Sequence, residues 1–250
     1  SPLALKTGGR CGLKIFVVLP GAEGVYPPEA EKRRIDRIMS YARPGVEISV
    51  GFPAARSGFN PYGGGGTALA VAQNHILMAE RMIQAEKEGF DACFPFGMVD
   101  FGVDLARASC TIPIVGQAQA AYCVAAMMAT RVGTITYQSQ NHDLVHRQLR
   151  EFGLSHLLAG LGASEIPNNE MPLRREELFE RFVSEGKRLV KEGAELIVCH
   201  GMSMSPIEFP AKEYADAIGV PVLEGVGCAL VMCEAWVNLG TPYSPVRYPR

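Results

Sequence analysis

Two stretches of eleven residues, KEGFDACFPFG at 87–97 and KEGAELIVCHG at 191–201, align with each other without a gap. In each, a glycine follows a charged segment, and an apolar run then leads to the pair Gly-Met. The similarity extends downstream, where IPIVGQAQAAYCVAAMMA (112–129) is similar to VPVLEGVGCALVMCEAWV (220–237). The first strand of each half also matches, since KIFVVLPG (14–21) can be aligned with RVGTITYQ (131–138). The chain is therefore predicted to consist of two related halves.

Short apolar, β-branched runs alternate with longer helical patterns, which is typical of an α/β protein with a mainly parallel sheet. The predicted strands are 13–19, 46–52, 92–96, 112–115, 132–137, 195–199 and 220–223, and the clearest helices are 27–42 and 67–89. We expect two pseudosymmetric lobes, each with a mainly parallel four-stranded sheet flanked by helices. The expected division is an N-terminal tail at 1–12, a first lobe at 13–117 plus 221–250, and a second lobe at 118–220.

Composition excludes several classes of function. With 250 residues and a net charge of -2, the chain has a sizeable core and no basic face for nucleic acid. Its seven cysteines lack CxxC spacing, which predicts a cytoplasmic protein without disulfides or zinc. No apolar run reaches the roughly 20 residues of a membrane helix. The expected partners are a small-molecule substrate and further copies of the chain, because the helix at 67–88 carries more apolar surface than one lobe can cover.

The strand ends predict where a ligand binds. In parallel sheets, ligands bind beyond the carboxyl ends of the strands. The loops that follow Phe96 and His200 should therefore face each other across the cleft between the lobes. A duplicated fold would supply one site loop from each side.

The stretches GFDACFPFGMVDFGVDLARA (89–108), IPIVGQAQAA (112–121) and GAELIVCHGMSMS (193–205) resemble the aspartate/glutamate/hydantoin racemase superfamily, which includes maleate isomerases and arylmalonate decarboxylases. The resemblance covers nearly the whole chain and implies a cofactor-independent enzyme. It also implies one cysteine at a strand end in each lobe, one thiol removing a proton and the other returning it. Here these positions fall on Gly97 and Gly201. Cys93 and Cys199 lie inside the predicted strands and are interpreted as buried packing residues, so a two-thiol mechanism is not expected.

The resemblance further implies that the turn after each strand binds the carboxylate or developing enolate of a substrate through backbone amides. These amides belong to Met98 and Val99 in the first lobe, and to Met202 and Ser203 in the second. Preorganised donors of this kind contribute about 3 kcal/mol each to catalysis. Glycine at both cysteine positions is expected to leave volume for a bulkier substrate or for water.

Three side chains are the candidate catalytic residues. Asp100 lies three residues after Gly97, where the resemblance places an acidic residue, and it is predicted to act as a general acid/base or to cap the helix that begins in FGVDLARA (101–108). His200 precedes Gly201 and is predicted to replace the missing base, the alternative being a histidine buried in the core. Tyr137 ends the first strand of the second lobe, where the resemblance implies a tyrosine that binds substrate oxygen, the alternative being an aromatic at a strand edge.

Other motifs are weaker signals. YGGGGT (62–67) lacks the Gly-Lys-Ser/Thr ending of a phosphate-binding loop and is interpreted as a lid near the cleft, including Gly63–Gly66. Arg56 and Ser57 could reach a substrate carboxylate, although solvated loop residues are the simpler interpretation. His142 and His146 have the spacing of metal ligands on a helix but no suitable partner, so no metal site is expected.

These features predict a cofactor-independent lyase or hydrolase acting on a small carboxylate, cyclic imide or hydantoin-like substrate. In this hypothesis the loops after Gly97 and Gly201 hold the oxyanion, Tyr137 anchors a substrate oxygen, and His200 with Asp100 handles the proton. One alternative is a racemase or isomerase whose two bases are Asp100 and His200. A further alternative is a binding protein that uses the same pocket without catalysis.

Overall fold

The computed structural model describes residues 12–249, so the tail predicted at 1–12 lies outside the described residues except for Gly12. The first sheet contains three parallel strands in the order β2-β1-β3, and the second contains four in the order β5-β4-β6-β7. The elements of the first half are β1 (Leu13–Val18), α1 (Pro28–Met39), β2 (Val46–Gly51), α2 (Ala68–Lys87), β3 (Ala92–Pro95) and α3 (Val103–Arg107). They are followed by α4 (Gln117–Met128), β4 (Val132–Thr136), α5 (His142–Phe152), β5 (Leu158–Ala163), α6 (Arg175–Lys191), β6 (Leu196–His200), α7 (Ala211–Ile218), β7 (Val222–Leu223) and α8 (Gly225–Leu239).

The predicted α/β class with two parallel sheets is confirmed. The second sheet has the expected four strands, whereas the first has three. The predicted strand at 112–115 forms only an isolated parallel bridge between Cys93 and Ile114. Pro113 has no N–H group, and proline limits how far a strand can extend its hydrogen-bond ladder. The first sheet therefore ends in a single bridge where a fourth strand was expected.

The boundary between the lobes also differs from the expected one. The pattern assigns residues 221–250 to the first lobe, whereas β7 pairs with β6 in the second sheet. The chain returns to the first sheet only with α8, which packs against β1 and β3. The strand β5 was not predicted at all, because its sequence LAGLGA contains no β-branched or aromatic residue.

The core is continuous between the two sheets. Helices α4 and α8 pack against each other, α4 contacts β6, and α8 contacts the first sheet. Val17 of β1, Tyr122 of α4, Val198 of β6 and Val226 of α8 consequently belong to one buried cluster. This shared layer places the carboxyl ends of both sheets beside each other.

The outer faces have separate cores. Helix α2 covers the first sheet, and helices α6 and α7 cover the second. On α2, Leu69 and Ile76 remain exposed, and self-association through such a surface stays a prediction. Within residues 12–249, every helix is too short or too polar to cross a membrane.

Candidate functional site

The loops after β3 and β6 meet at the start of α8. A Cβ atom added to Gly225 would lie 2.7 Å from the sulfur of Met98 and 3.2 Å from the terminal methyl of Met202. Both methionines are buried, with exposed fractions of 4% and 2%. The two strand-end loops therefore contact a common glycine, and only a glycine allows them to come this close.

The two glycines that occupy the cysteine positions are constrained in different ways. Gly97 has a φ of 127°, which side chains rarely adopt, and the space around a Cβ there is open. Gly201 has no such backbone constraint, but a Cβ would overlap the ring of Tyr137 and lie 2.8 Å from the terminal methyl of Met204. The volume that was expected at both positions is thus present at Gly97, whereas the Tyr137 ring fills it at Gly201.

Backbone donors line the junction of the loops. Within the described part of the chain, the amides of Met98, Val99 and Met202 have no hydrogen-bond acceptor. Ser203 differs, because its N–H donates to the hydroxyl oxygen of Tyr137 at 3.3 Å. Met98 and Met202 are buried, whereas Val99 is partly exposed. Buried amides are rarely left without a partner, so unpaired donors at Met98 and Met202 are typical of a site that awaits a negatively charged or carbonyl oxygen.

Asp100 caps a helix, though not the predicted one. Its carboxylate accepts the backbone N–H groups of Ala118 (2.8 Å) and Gln119 (3.0 Å) in the first turn of α4. The residue has a φ of 54°, a left-handed conformation that aspartate tolerates better than most side chains. Burial raises the pKa of Asp100 to about 6, although these amides favour the ionised form. Asp100 is one of the residues that line a groove of about 970 Å³ between α2, α3 and α5.

The helices α4 and α8 occupy equivalent places in the two halves, and each begins under a carboxylate. In α8 the cap is Glu224 itself, whose side chain accepts the N–H groups of Val226 and Gly227. The equivalent of Glu224 in the first half is Gly116. A Cβ at Gly116 would collide with the carboxylate of Asp100. The same stabilising contact is thus made by residues from different positions in the two halves.

His200 ends β6 with its ring in the buried layer rather than in open space. Its exposed fraction is 4%, and burial lowers its pKa to about 4, so the imidazole is neutral at neutral pH. Its Nε2 lies 2.9 Å from Oε1 of Gln148, whose amide nitrogen donates to the carbonyl oxygen of Met98 at 2.7 Å. This chain of hydrogen bonds connects the end of β6 to the loop after β3. His200 is therefore well placed to hold the two loops together.

Tyr137 extends over Gly201 from the end of β4. Burial raises the pKa of its hydroxyl, the nearby Arg34 guanidinium opposes this shift, and the side chain stays protonated at neutral pH. The hydroxyl accepts the amide of Ser203, as described above. The Tyr137 ring thus occupies the space that a Cβ at Gly201 would need, and its role in binding substrate stays a prediction.

The sequence interpretation overlooked Arg34. This residue is only 3% exposed, and its guanidinium donates to the carbonyl of Ala30 (2.9 Å) and to the hydroxyl of Ser203 (2.9 Å). It also lies over the rings of Tyr26 and Tyr62, at 4.7 and 5.3 Å from their centroids. In the sequence, Arg34 is part of the charged run EKRRID (31–36). Its spacing from Ala30 and from Ile38, on the buried stripe of α1, is the signal that could have identified it.

Every polar contact of Arg34 is with a neutral group, since no carboxylate of residues 12–249 forms an ion pair with it. An unpaired buried charge costs several kcal/mol. Cation–π contacts return about 0.5–2 kcal/mol each. The two tyrosine rings therefore offset only part of the cost of burying this guanidinium.

Tyr62, the first residue of the glycine-rich segment 62–67, lies over Arg34, and the interpretation of this segment as a lid stays a prediction. Tyr62 provides one face of the cover, and the carbonyl of Pro61 accepts a hydrogen bond from the side chain of Asn168 at 2.7 Å. Asn168 belongs to the second half, so this contact joins the segment to the opposite lobe. Gly64 and Gly65 adopt φ values of 102° and 88°, which other residues rarely adopt.

The remaining candidates lie apart from this junction. Ser57 is buried rather than solvated and contacts the side chain of Asn74, while Arg56 is exposed. His142 contacts the carbonyl of Gly162, and within residues 12–249 no cluster of three metal-ligating side chains occurs. Cys93 and Cys199 are fully buried, and burial raises the pKa of both thiols. Neither cysteine is available as a nucleophile in this geometry.

Comparison with known proteins places this geometry in a family. The family model for Asp/Glu/Hydantoin racemase matches residues 65–233. A hydantoin racemase of Rhizobium meliloti is 31% identical over 196 residues, which cover 75% of this chain and 77% of that protein.

Solved structures support the same fold. Allantoin racemase from Klebsiella pneumoniae superimposes with a TM-score of 0.78 at 24% identity, covering 96% of this chain and 94% of that one. Unliganded arylmalonate decarboxylase gives a TM-score of 0.57 at 14% identity, covering 93% and 96% of the two chains. Since the family model spans more than half of the sequence and the hydantoin racemase matches three quarters of it, the chain belongs to the Asp/Glu/hydantoin racemase family.

Proposed function

We propose that this protein inverts the configuration of an acidic carbon in a small hydantoin-like or cyclic imide substrate, without a cofactor. The observation that carries the proposal is the meeting of two strand-end loops whose amides at Met98, Val99 and Met202 have no acceptor within the described residues. Such donors stabilise the enolate oxygen that forms when a proton is lost beside a carbonyl. Because one loop comes from each lobe, the resulting planar carbon can exchange protons on both faces.

The comparisons favour the racemase alternative over the lyase or hydrolase predicted first. The relative that covers three quarters of the chain is named a hydantoin racemase, and the solved allantoin racemase superimposes better than the decarboxylase. Nothing in the geometry requires bond cleavage, since stabilisation of an enolate by amides serves proton exchange equally well. Inversion is therefore the reaction class that we assign to this site.

Inversion needs one proton-transferring group in each lobe. In the first lobe we assign this role to Asp100, whose pKa of about 6 suits a base that works near neutral pH. In the second lobe we assign it to Tyr137, because its ring lies directly beside Gly201 and its hydroxyl carries a proton. His200, the second base of the sequence hypothesis, becomes a positioning residue through Gln148.

Proton exchange with solvent tests the reaction class. Incubation of one enantiomer of a 5-substituted hydantoin with the protein in D₂O is expected to give loss of optical activity together with deuterium at the ring stereocentre, since each inversion returns a solvent-derived proton. Polarimetry and proton NMR of the recovered ring measure both changes.

Other outcomes identify the other hypotheses. A hydrolase would yield a ring-opened product with hydrogen retained at that carbon, and a lyase would yield a smaller fragment. A binding protein would return the substrate unchanged. Any of these results, across a panel of hydantoins and cyclic imides, would contradict the assignment to inversion.

The pH profile tests Asp100. A base acts in its ionised form, so a group with a pKa of about 6 should give a rate that falls roughly tenfold for each pH unit below 6. We expect kcat/KM to drop about tenfold between pH 7 and pH 5, and the Asp100→Asn variant to lose this acid limb. Asp104→Asn, four residues further along in helix α3 and largely exposed, is the matched control. An unchanged acid limb in Asp100→Asn would mean that Asp100 only caps α4.

A further inference from the structure

We infer that Arg34 is the recognition group for an anionic substituent of the substrate, and that the preferred substrates are ring compounds bearing a carboxylate. The inference rests on the proposed function, because it concerns the same site. It starts from the imbalance of charge around the guanidinium: Arg34 is almost completely buried, yet within residues 12–249 only neutral groups contact it. A buried cation without a counter-ion is the arrangement expected of a site whose anion arrives with the ligand.

The two cations that directly precede Arg34 in α1 are already paired with carboxylates. On the same helix, Arg33 forms an ion pair with the buried Glu208, which also pairs with Arg175. Lys32 pairs with Asp36 on the solvent face. Within residues 12–249, Arg34 is thus the one buried cation of α1 that forms no ion pair, and it contacts Ser203 of the second lobe.

Arg34 is connected to the reacting loop by a short chain of contacts. Its Nη2 donates to the hydroxyl of Ser203, the amide of Ser203 donates to Tyr137, and the Tyr137 ring lies against Gly201. A ligand held by the amides of the two loops would therefore have its substituent within reach of the guanidinium. A planar guanidinium presents paired N–H groups that match the two oxygens of a carboxylate.

The segment that covers Arg34 would have to open to admit a ligand. Tyr62 lies over the guanidinium and is followed by Gly64 and Gly65. Among the described residues, a Cβ added to Gly64 would meet nothing within 4 Å, and one added to Gly65 would meet only the Phe59 ring at 3.7 Å. A hydrogen bond from Asn168 to the carbonyl of Pro61 joins this end of the segment to the second lobe. Opening of this contact would expose the guanidinium, and closure would exclude water from the ion pair.

A pair of ligands that differ only in charge tests the inference. Hydantoin-5-acetate carries a carboxylate, and hydantoin-5-acetamide is nearly the same size but neutral. By calorimetry, we expect the wild-type protein to bind the acetate at least about tenfold more tightly. Arg34→Gln should abolish this preference, and Arg34→Lys should retain part of it. Lys32→Gln, which removes an exposed cation from the same helix, should keep the full preference.

The outcomes separate this inference from the proposed function. Equal affinity of the wild-type protein for both ligands would overturn the inference, as would an undiminished preference in a folded Arg34→Gln variant. If Arg34→Gln does not fold, as judged by circular dichroism, the comparison of the two ligands on wild-type protein and on Arg34→Lys still decides it. Because binding is measured rather than turnover, a carboxylate preference without proton exchange would retain Arg34 as an anion site and reject inversion. Proton exchange without a preference for the carboxylate ligand would support inversion and reject Arg34 as an anion site.

Discussion

Met202→Pro is expected to lower turnover by about 100- to 1000-fold, whereas Met202→Ala should retain most of the wild-type rate. The Met202 amide is one of the three donors without an acceptor in the described residues, and removal of one donor from an oxyanion site typically costs this much. Proline removes the N–H group without forcing the backbone, since Met202 already has a φ of −62°. The preceding residue, Gly201, has no Cβ to clash with the proline ring.

The alanine variant is the matched control because it shortens the same side chain and keeps the amide. Steady-state rates of both variants, with circular dichroism to verify folding, measure the effect. If the proline and alanine variants had equal rates, the backbone amide at position 202 would have no part in catalysis. The loop after β3 is less suitable for such a test. Met98 and Val99 lie between Gly97 and Asp100, which both have a positive φ, so a proline at either position would also disturb the backbone of these neighbours.

His200→Ala should reduce turnover at least about 100-fold while the fold is kept. The neutral imidazole bonds to Gln148, which bonds in turn to the carbonyl of Met98, so its loss releases the loop that presents the Met98 amide. A displacement of about 1 Å at a reacting group can cost a factor of 100. Gln148→Ala should have a similar effect, because it breaks the same chain.

The comparison of these two variants separates positioning from proton transfer. If His200 were itself the base, Gln148→Ala would retain much more activity than His200→Ala, and the pH profile of Gln148→Ala would keep its wild-type shape. Full activity in His200→Ala would show that neither role applies. Glutamine at position 200 is a useful third variant, since its amide nitrogen has the reach of the histidine Nε2 and can still donate to Gln148, but it cannot act as a base near neutral pH.

Most of the fold could be predicted from the sequence, because the repeated pattern of strands and glycines is formed by residues that are close together in the chain. Apolar strands followed by glycine predicted the two sheets, and the long helix α2 was predicted almost to its observed ends. The strand β5 could not be recognised, since LAGLGA has neither alternation nor β-branched residues. It forms a strand because β4 supplies a partner, which is a tertiary effect.

The site was harder to predict because its contacts are distant in sequence. Asp100 was expected to cap the helix that follows it, but the amides it accepts belong to α4, which starts seventeen residues later. Arg34 contacts Ser203 from the other half of the chain, and nothing local distinguishes it from the other arginines of α1 except its place on the buried stripe of the helix. The positions of the site loops can be predicted from the strands that precede them. The contacts of each side chain depend on tertiary packing and cannot be predicted in this way.

The helices α4 and α8 are capped by carboxylates from different positions, and this difference bears on how the two halves evolved. A helix start needs a carboxylate near its first amides, but it does not need that carboxylate to come from one particular residue. Because Asp100 caps α4 from the preceding loop, the residue at the cap position of α4 can be a glycine, Gly116. In α8, where no loop aspartate among residues 12–249 takes this role, the cap position keeps a carboxylate, Glu224. Two halves that descend from one duplicated ancestor can thus change their residues while each keeps the same interaction. Their common origin is then easier to recognise from the contacts in the structure than from the amino-acid sequence.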